Sequence, residues 1–284
     1  MTRIVRTRTE LRDALDGVDR PIGLIPTMGW LHDGHRALIR QARASDATTV
    51  VTIFVNPRQF NVARDYTKYP RDEARDLAIC EAEGVDVVFA PEASEVYPAG
   101  FDTTVSVGAV AQPLEGAARP GHFDGVATVV AILFGLVGAD HAYFGQKDAQ
   151  QVMVIRRMAR DLAIPTAVIA CPTVREPDGL ALSSRNVHLT ADERRAAPVL
   201  HRALLAARTR WEAGERSADV LRAAMSETLA AEPMAHVEYV SVADGATLRE
   251  LETVEAPALL SLAVRFGSTR LIDNELLGVS PTTD

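Results

Sequence analysis

Pro21-Ile-Gly-Leu-Ile-Pro-Thr-Met-Gly-Trp-Leu-His-Asp-Gly-His35 begins as a strand and ends at the start of a helix. Residues 21–25 form a short apolar run of the kind that is buried in a sheet. Beyond His35, the residues Leu38, Ile39, Ala42 and Arg43 recur at helical spacing. A strand, a glycine-containing turn and a helix N-terminus together favour an anion, because backbone N–H groups and the helix dipole both face the turn. His32 and His35 add two imidazoles there, suited to the phosphates of a nucleotide. Taken alone, the pair fits a surface turn with two solvated histidines equally well.

The same alternation continues outward. Residues 48–55 are rich in β-branched side chains and end at Asn56-Pro57, a turn signal. Residues 73–83 read as a helix stopped by Gly84, and 85–90 as a buried strand. An apolar helix is expected over 125–137, a strand over 141–144, a helix over 147–162 and a strand over 166–170. Near-continuous apolar strands alternating with helices predict a Rossmann-like parallel sheet covered on both faces, an α/β domain over residues 1–174. In such a sheet ligands sit beyond the carboxyl ends of the strands, where the first turn falls.

The pattern changes after the loop 175–186. Helices are expected over 191–213 and 218–231, the first announced by Thr190 and Glu193 in capping-box spacing. Strand-like runs follow at 237–242, 259–266 and 270–273. This predicts a smaller α+β C-terminal domain over residues 175–284, placed to act as a lid.

Composition bounds the class. The 284 residues are enough for one large or two ordinary domains, and 47% hydrophobic with 24% charged residues is the balance of a soluble globular chain. A formal net charge of −8 argues against nucleic acid as a partner. The longest uncharged run, residues 125–139, falls short of the ~20 residues that cross a bilayer, so no membrane partner is expected. The N-terminal arginines precede no apolar segment, so no signal peptide is read there. Cys80 and Cys171 form no paired motif, and a cytoplasmic setting is expected.

Two further segments carry chemistry. In Phe144-Gly-Gln-Lys-Asp-Ala-Gln-Gln151, Lys147 can neutralise phosphate and Asp148 can accept ribose hydroxyls, with Gln151 one turn along on the same face. A solvated first helical turn would look the same. In Gly179-Leu-Ala-Leu-Ser-Ser-Arg-Asn186, two hydroxyls and a guanidinium suit phosphate oxygens, as they would also suit an ordinary turn.

The three segments in this order resemble the pantothenate synthetase family of the H-x-G-H nucleotidyltransferases. The likeness extends through Thr52-Ile-Phe-Val-Asn-Pro-Arg-Gln-Phe60, Tyr69-Pro-Arg71, Arg119-Pro-Gly-His-Phe-Asp-Gly125 and Thr269-Arg-Leu-Ile-Asp-Asn274, nearly the whole chain. The resemblance implies ATP-dependent condensation of pantoate with β-alanine through a pantoyl adenylate, releasing pyrophosphate and then AMP. It implies a homodimer with ATP as substrate; because Arg75 stands where the family can have a second acid, any Mg²⁺ is expected to be carried in by the triphosphate.

By the same resemblance Met28, Gly29, Trp30, Leu31, His32, Asp33, Gly34 and His35 wrap the ATP phosphates. His35 is the implied proton donor, and His32 and Lys147 complete the catalytic set. Gly145 and Asp148 hold the ribose, Gln146 between them belongs to the ATP site, Val174 and Leu182 lend backbone contacts, and Lys147, Ser183, Ser184 and Arg185 hold phosphate oxygens. Gln59 and Gln151 are the implied pantoate pair. Asp76 falls where the family often has an acid near magnesium, but Arg75 beside it stands where a second acid can be. Trp30 is bulkier than is usual in its loop. His122 reads as a loop residue or a ligand, and His188, His201 and His236 as surface or packing residues. Two other activities remain open on sequence alone: a transferase that stops after nucleotidyl transfer, and a nucleotide-binding module without turnover.

Overall fold

The computed structural model describes residues 1–61 and 63–278, so the last six residues of the expected second domain lie outside it. Contacts divide the chain into two units: residues 1–145 with 150–171, and residues 146–149 with the chain from Pro172 onward.

The first unit runs β1 (Arg3–Val5), α1 (Arg8–Leu15), β2 (Ile22–Thr27), α2 (Asp33–Ser45), β3 (Thr48–Ile53), α3 (Ala63–Lys68), α4 (Glu73–Ala82), β4 (Val87–Phe89), α5 (Ala93–Val96), α6 (Glu115–Ala118), α7 (His122–Val137), β5 (His141–Gly145), α8 (Ala149–Asp161) and β6 (Ala167–Cys171). Its strands form one parallel sheet in the order β1-β4-β3-β2-β5-β6. Because the chain moves outward from β2 in both directions, the switch point lies between β2 and β5, where open α/β sheets place ligands. The H-x-G-H turn leaves β2, and Gly145 closes β5.

Burial explains the elements. In β3 every residue from Thr48 to Thr52 is buried, so both faces are covered, as a central parallel strand requires. The apolar stripe of α2 buries Leu38, Ile39 and Ala42, which join Ile25, Val51 and Val88 in the core. Its polar face carries Arg36 and Arg40 to Glu83 at 2.8 and 2.7 Å. Helix α7 is apolar around most of its circumference and correspondingly buried.

Near the amino ends of β2 and β5, the buried Asp46 accepts from Tyr143 Oη at 2.6 Å and meets His141 Nδ1 at 2.5 Å. A side chain at Gly23 would collide with that carboxylate, so the glycine in β2 is required by a neighbour rather than by a turn.

The second unit contains α9 (Ala191–Ala196), α10 (Val199–Glu212), α11 (Ala218–Ala230), β7 (His236–Asp244), β8 (Ala258–Phe266) and β9 (Thr269–Leu277). The strands form an antiparallel sheet in sequential order. Leu200 and Leu204 of α10, Leu221 and Met225 of α11, and Leu260 and Leu262 of β8 make one core. The architecture is thus a six-stranded parallel α/β domain followed by a smaller α+β domain.

Three local expectations change. The helix over 191–213 is two helices, because Pro198 has no N–H to continue the first. The helix over 147–162 opens with a separate 3₁₀ turn, Gln146–Asp148. The edge strand β1 and helix α1 escaped the pattern, although Thr7 and Glu10 form a capping box at the start of α1. No helix among the described residues is long and apolar enough to cross a membrane.

Gly23→Ala should destabilise the protein by about 1–3 kcal/mol, the usual cost of forcing a methyl into a packed interior. Urea denaturation of the variant beside the wild type checks this.

Candidate active site

The turn after β2 is shaped by a buried carboxylate. Gly29 and Trp30 both have left-handed backbones, with φ of 77° and 52°. Asp76, in the first turn of α4 and 1% exposed, accepts the N–H groups of Trp30 and Leu31 at 2.7 and 2.8 Å. A Cβ on Gly29 would sit 2.8 Å from Asp76 Oδ2, so only glycine lets the two approach. Burial raises the pKa of Asp76, while the two amides and Arg75 oppose that rise by favouring the charged form. Arg75 donates to the Leu31 carbonyl at 2.8 Å and lies over the Trp30 ring, 5.1 Å from its centroid. Trp30 is therefore part of a stack with Arg75.

The start of α2 is capped by imidazoles. His32 is the N-cap, and its Nδ1 accepts the Gly34 N–H at 3.1 Å. The His32 N–H in turn donates to His35 Nδ1 at 3.2 Å, completing a capping box in which histidine replaces the usual hydroxyl and carboxylate. The ring centroids are 4.1 Å apart. An imidazole that accepts at Nδ1 carries its proton on Nε2 when neutral. Both rings are thus assigned as Nε2–H donors. The amides of Trp30, Leu31 and Gly34 are engaged within the protein. Met28, Gly34 and both imidazoles are half-buried, and Asp33 is exposed.

Gln59 lies in the short turn Pro57–Gln59 after β3 and is buried. Its Oε1 accepts from Asn56 Nδ2 at 3.0 Å, and its Nε2 approaches Met28 Sδ at 3.0 Å. Asn56 accepts from Tyr97 Oη at 2.7 Å, and burial pushes that phenol up to about 12. His122 resolves as a positioning residue: Nδ1 meets the Gln59 carbonyl at 2.9 Å, and Nε2 meets Arg119 Nη1 at 3.3 Å. A ring donating at Nδ1 and accepting at Nε2 satisfies both contacts. Gln151 is half-buried on α8, whereas its neighbour Gln150 is buried and bonds Glu115 N, Val110 O and Pro113 O.

The remaining predicted residues, apart from Gly145, belong to the second unit. Lys147 is 16% exposed, with Nζ 3.5 Å from Asp148 Oδ1. Leu182 donates to the Val174 carbonyl at 2.9 Å, and Arg175 pairs with Ala181, so residues 174–182 close into a loop. Ser183 caps the turn Ser184–His188 by accepting the Arg185 N–H at 3.2 Å. Ser184 and Arg185 are half-buried on that turn. Asn274, whose side chain bonds the Gln146–Lys147 backbone, received no role from the sequence; the Asp-Asn pair in Thr269–Asn274 was its only signal.

Among the described residues no group of three or more His, Cys, Asp or Glu side chains could hold a metal ion. Each oxygen of Asp76 accepts a backbone amide, so the carboxylate is held against the loop after β2.

The family profile described as Pantoate-beta-alanine ligase matches residues 3–276. The chain is 60% identical over 275 residues to the pantothenate synthetase of Roseiflexus sp. (strain RS-1), covering 97% of this chain and 99% of the relative. The crystal structure of pantothenate synthetase from Thermus thermophilus superimposes with a TM-score of 0.92 at 49% identity, over 96% of this chain and 98% of that one. A pantoate-beta-alanine ligase from Francisella tularensis, complexed with beta-gamma ATP and beta-alanine, gives a TM-score of 0.80 at 33% identity, over 99% and 100% of the two chains.

Asp76→Ala should free the Trp30 and Leu31 amides, each worth about 1–3 kcal/mol when left unsatisfied. Hydrogen exchange at those two amides is expected to quicken about tenfold or more, with distant strands unchanged.

Proposed function

The chain belongs to the pantoate-beta-alanine ligase family, an enzyme family that joins pantoate to β-alanine at the expense of ATP, and we propose how its residues divide the work. The observation that carries this assignment is the double imidazole cap, which aims Nε2–H donors from the start of α2.

In the first step a pantoate carboxylate oxygen forms a bond to the α-phosphorus of ATP. The bond from that phosphorus to the bridging oxygen breaks, and pyrophosphate leaves. Two anions must meet, so the barrier is electrostatic and positional. His35 Nε2–H donates to the phosphate oxygen on which charge builds, and His32 steadies the same group. Lys147 and Arg185 supply positive charge, and Ser183 and Ser184 supply hydroxyl donors. Residues Met28 to Gly34 follow the phosphates, while Gly145 and Asp148 hold the ribose and Gln146 lies between them in the ATP site. Since Leu182 N and Val174 O pair with one another, nucleotide contacts from that loop would use the other backbone groups of these residues.

Gln59 and Gln151 hold pantoate. A neutral amide binds hydroxyls and carboxylate without quenching the nucleophile's charge, and Asn56 fixes the rotamer of Gln59. In the second step the free amine of β-alanine attacks the acyl carbon of pantoyl adenylate. The C–N bond forms, the bond to AMP breaks, and the amine gives up a proton. We assign Mg²⁺ to the incoming triphosphate, consistent with its reluctance to shed water. A cytoplasmic homodimer completes the reading; both cysteines are free and buried.

AMP formation that requires both pantoate and β-alanine, with acyl adenylate accumulating when β-alanine is withheld, supports this reading. Pyrophosphate without AMP would support a transferase instead. His35→Ala and Lys147→Ala should each lower turnover at least ~10²-fold with unchanged circular dichroism, since one preorganised donor is worth roughly 3–4 kcal/mol in such a site.

Gln59→Ala and Gln151→Ala should weaken pantoate roughly ten- to a hundredfold and ATP far less, the cost of a hydrogen bond to a charged partner being about 1.5–3 kcal/mol. Calorimetric titration with each substrate decides. Unaltered pantoate affinity in both variants would misplace the acid site.

A further inference from the structure

The Gln146–Asp148 turn carries the proposed phosphate-binding lysine, yet its backbone is fixed by a residue 127 positions away. Asn274 on β9 is 5% exposed. Its Nδ2 donates to the carbonyls of Gln146 and Lys147 at 3.0 and 2.8 Å, and its Oδ1 accepts from Gln146 Nε2 at 3.2 Å. Two carbonyls can be met only by the amide nitrogen, so the orientation of this side chain is unambiguous. Behind it stands Asp273, 2% exposed, which accepts the Asn274 N–H at 2.9 Å. Arg175 grips Asp273 with two bonds, 2.6 and 3.0 Å, and also donates to the Gly179 carbonyl at 3.1 Å.

We infer that Asn274, backed by Asp273 and Arg175, is a positioning residue that fixes the main chain on which Lys147 is presented. Three properties carry the inference. A 3₁₀ turn of three residues has little internal hydrogen bonding, so its conformation depends on outside partners. The two carbonyls that Asn274 caps flank the Lys147 Cα through the preceding and the residue's own peptide. Both side-chain groups of the amide are used on the turn, so the contact constrains orientation as well as distance. Arg175, which anchors the chain of bonds, also lies at the base of the loop that leads to Ser183–Arg185. One ion pair, between the half-buried Arg175 and the buried Asp273, therefore orders both proposed phosphate-binding segments of the second unit.

The inference rests on the assignment of Lys147 to ATP phosphates, and a double-mutant cycle keeps the two apart. Asn274→Ala in the full-length protein should lower kcat about 10²-fold, the loss expected for misplacing a catalytic group by about 1 Å. Asn274→Ala in a Lys147→Ala background should then cost no more than about threefold further, because the group it positions is already gone. Single-turnover AMP formation and circular dichroism are read for all four proteins. Wild-type activity in Lys147→Ala would sink the lysine assignment. A reduced Lys147→Ala with wild-type activity in Asn274→Ala, or with losses that multiply in the double variant, would overturn the positioning role. Should Asn274→Ala not fold, Asn274→Asp takes its place in the cycle: it keeps the volume and the acceptor toward Gln146 but faces two carbonyls with a carboxylate. Failure of both to fold would make Asn274 a general structural residue and overturn the inference.

Discussion

A helix must satisfy the N–H groups of its first turn, and α2 does so with imidazole. That choice ties folding to chemistry. Ser or Asp at the same positions would cap the helix as well, but would leave nothing beyond the cap. Histidine has a second nitrogen, and when Nδ1 accepts a backbone proton the ring must carry its own on Nε2. The cap therefore sets the tautomer of both rings and fixes their orientation before any substrate arrives. Preorganised donors of this kind stabilise developing charge without having to reorient.

The cap depends in turn on the loop that delivers it. Two consecutive left-handed residues are unusual, and a tryptophan at φ 52° is more so. Such conformations cost of order 1–3 kcal/mol and persist only where the surroundings over-determine them. Here the surroundings are Asp76, which takes two amides, and Arg75, which takes the Leu31 carbonyl and covers the indole. An acid that sequence reasoning places near a metal thus serves to hold the backbone. Its neighbour Arg75, read as the loss of a second acid, is the partner that completes the arrangement.

Buried polar side chains recur as supports throughout. Asn56 and His122 hold Gln59, Asp46 ties His141 to Tyr143, and Asn274 holds the turn of Lys147. In each case a polar side chain almost without solvent contact has its hydrogen bonds met by groups elsewhere in the fold. Such networks are costly when half made, and they fix a single arrangement when complete.

Much of this was legible in the chain itself. The period of apolar residues marked out the parallel sheet and the smaller domain, because burying one stripe or two faces leaves a local record at every third, fourth or second position. The motifs His32–His35, Gly145–Gln151 and Ser183–Arg185 fell at element boundaries for the same reason: turns and helix starts have their own residue preferences. Pro198 showed its break only weakly against a run of good helix formers, and β1 was too short to display a period. What the tertiary structure alone decided is which polar groups meet. Asp76 with Trp30, Asn274 with Lys147, and the grouping of residues 146–149 with the second unit join positions tens to more than a hundred residues apart. Hydrogen bonds depend on distance and angle in space, and no periodicity in one dimension encodes them.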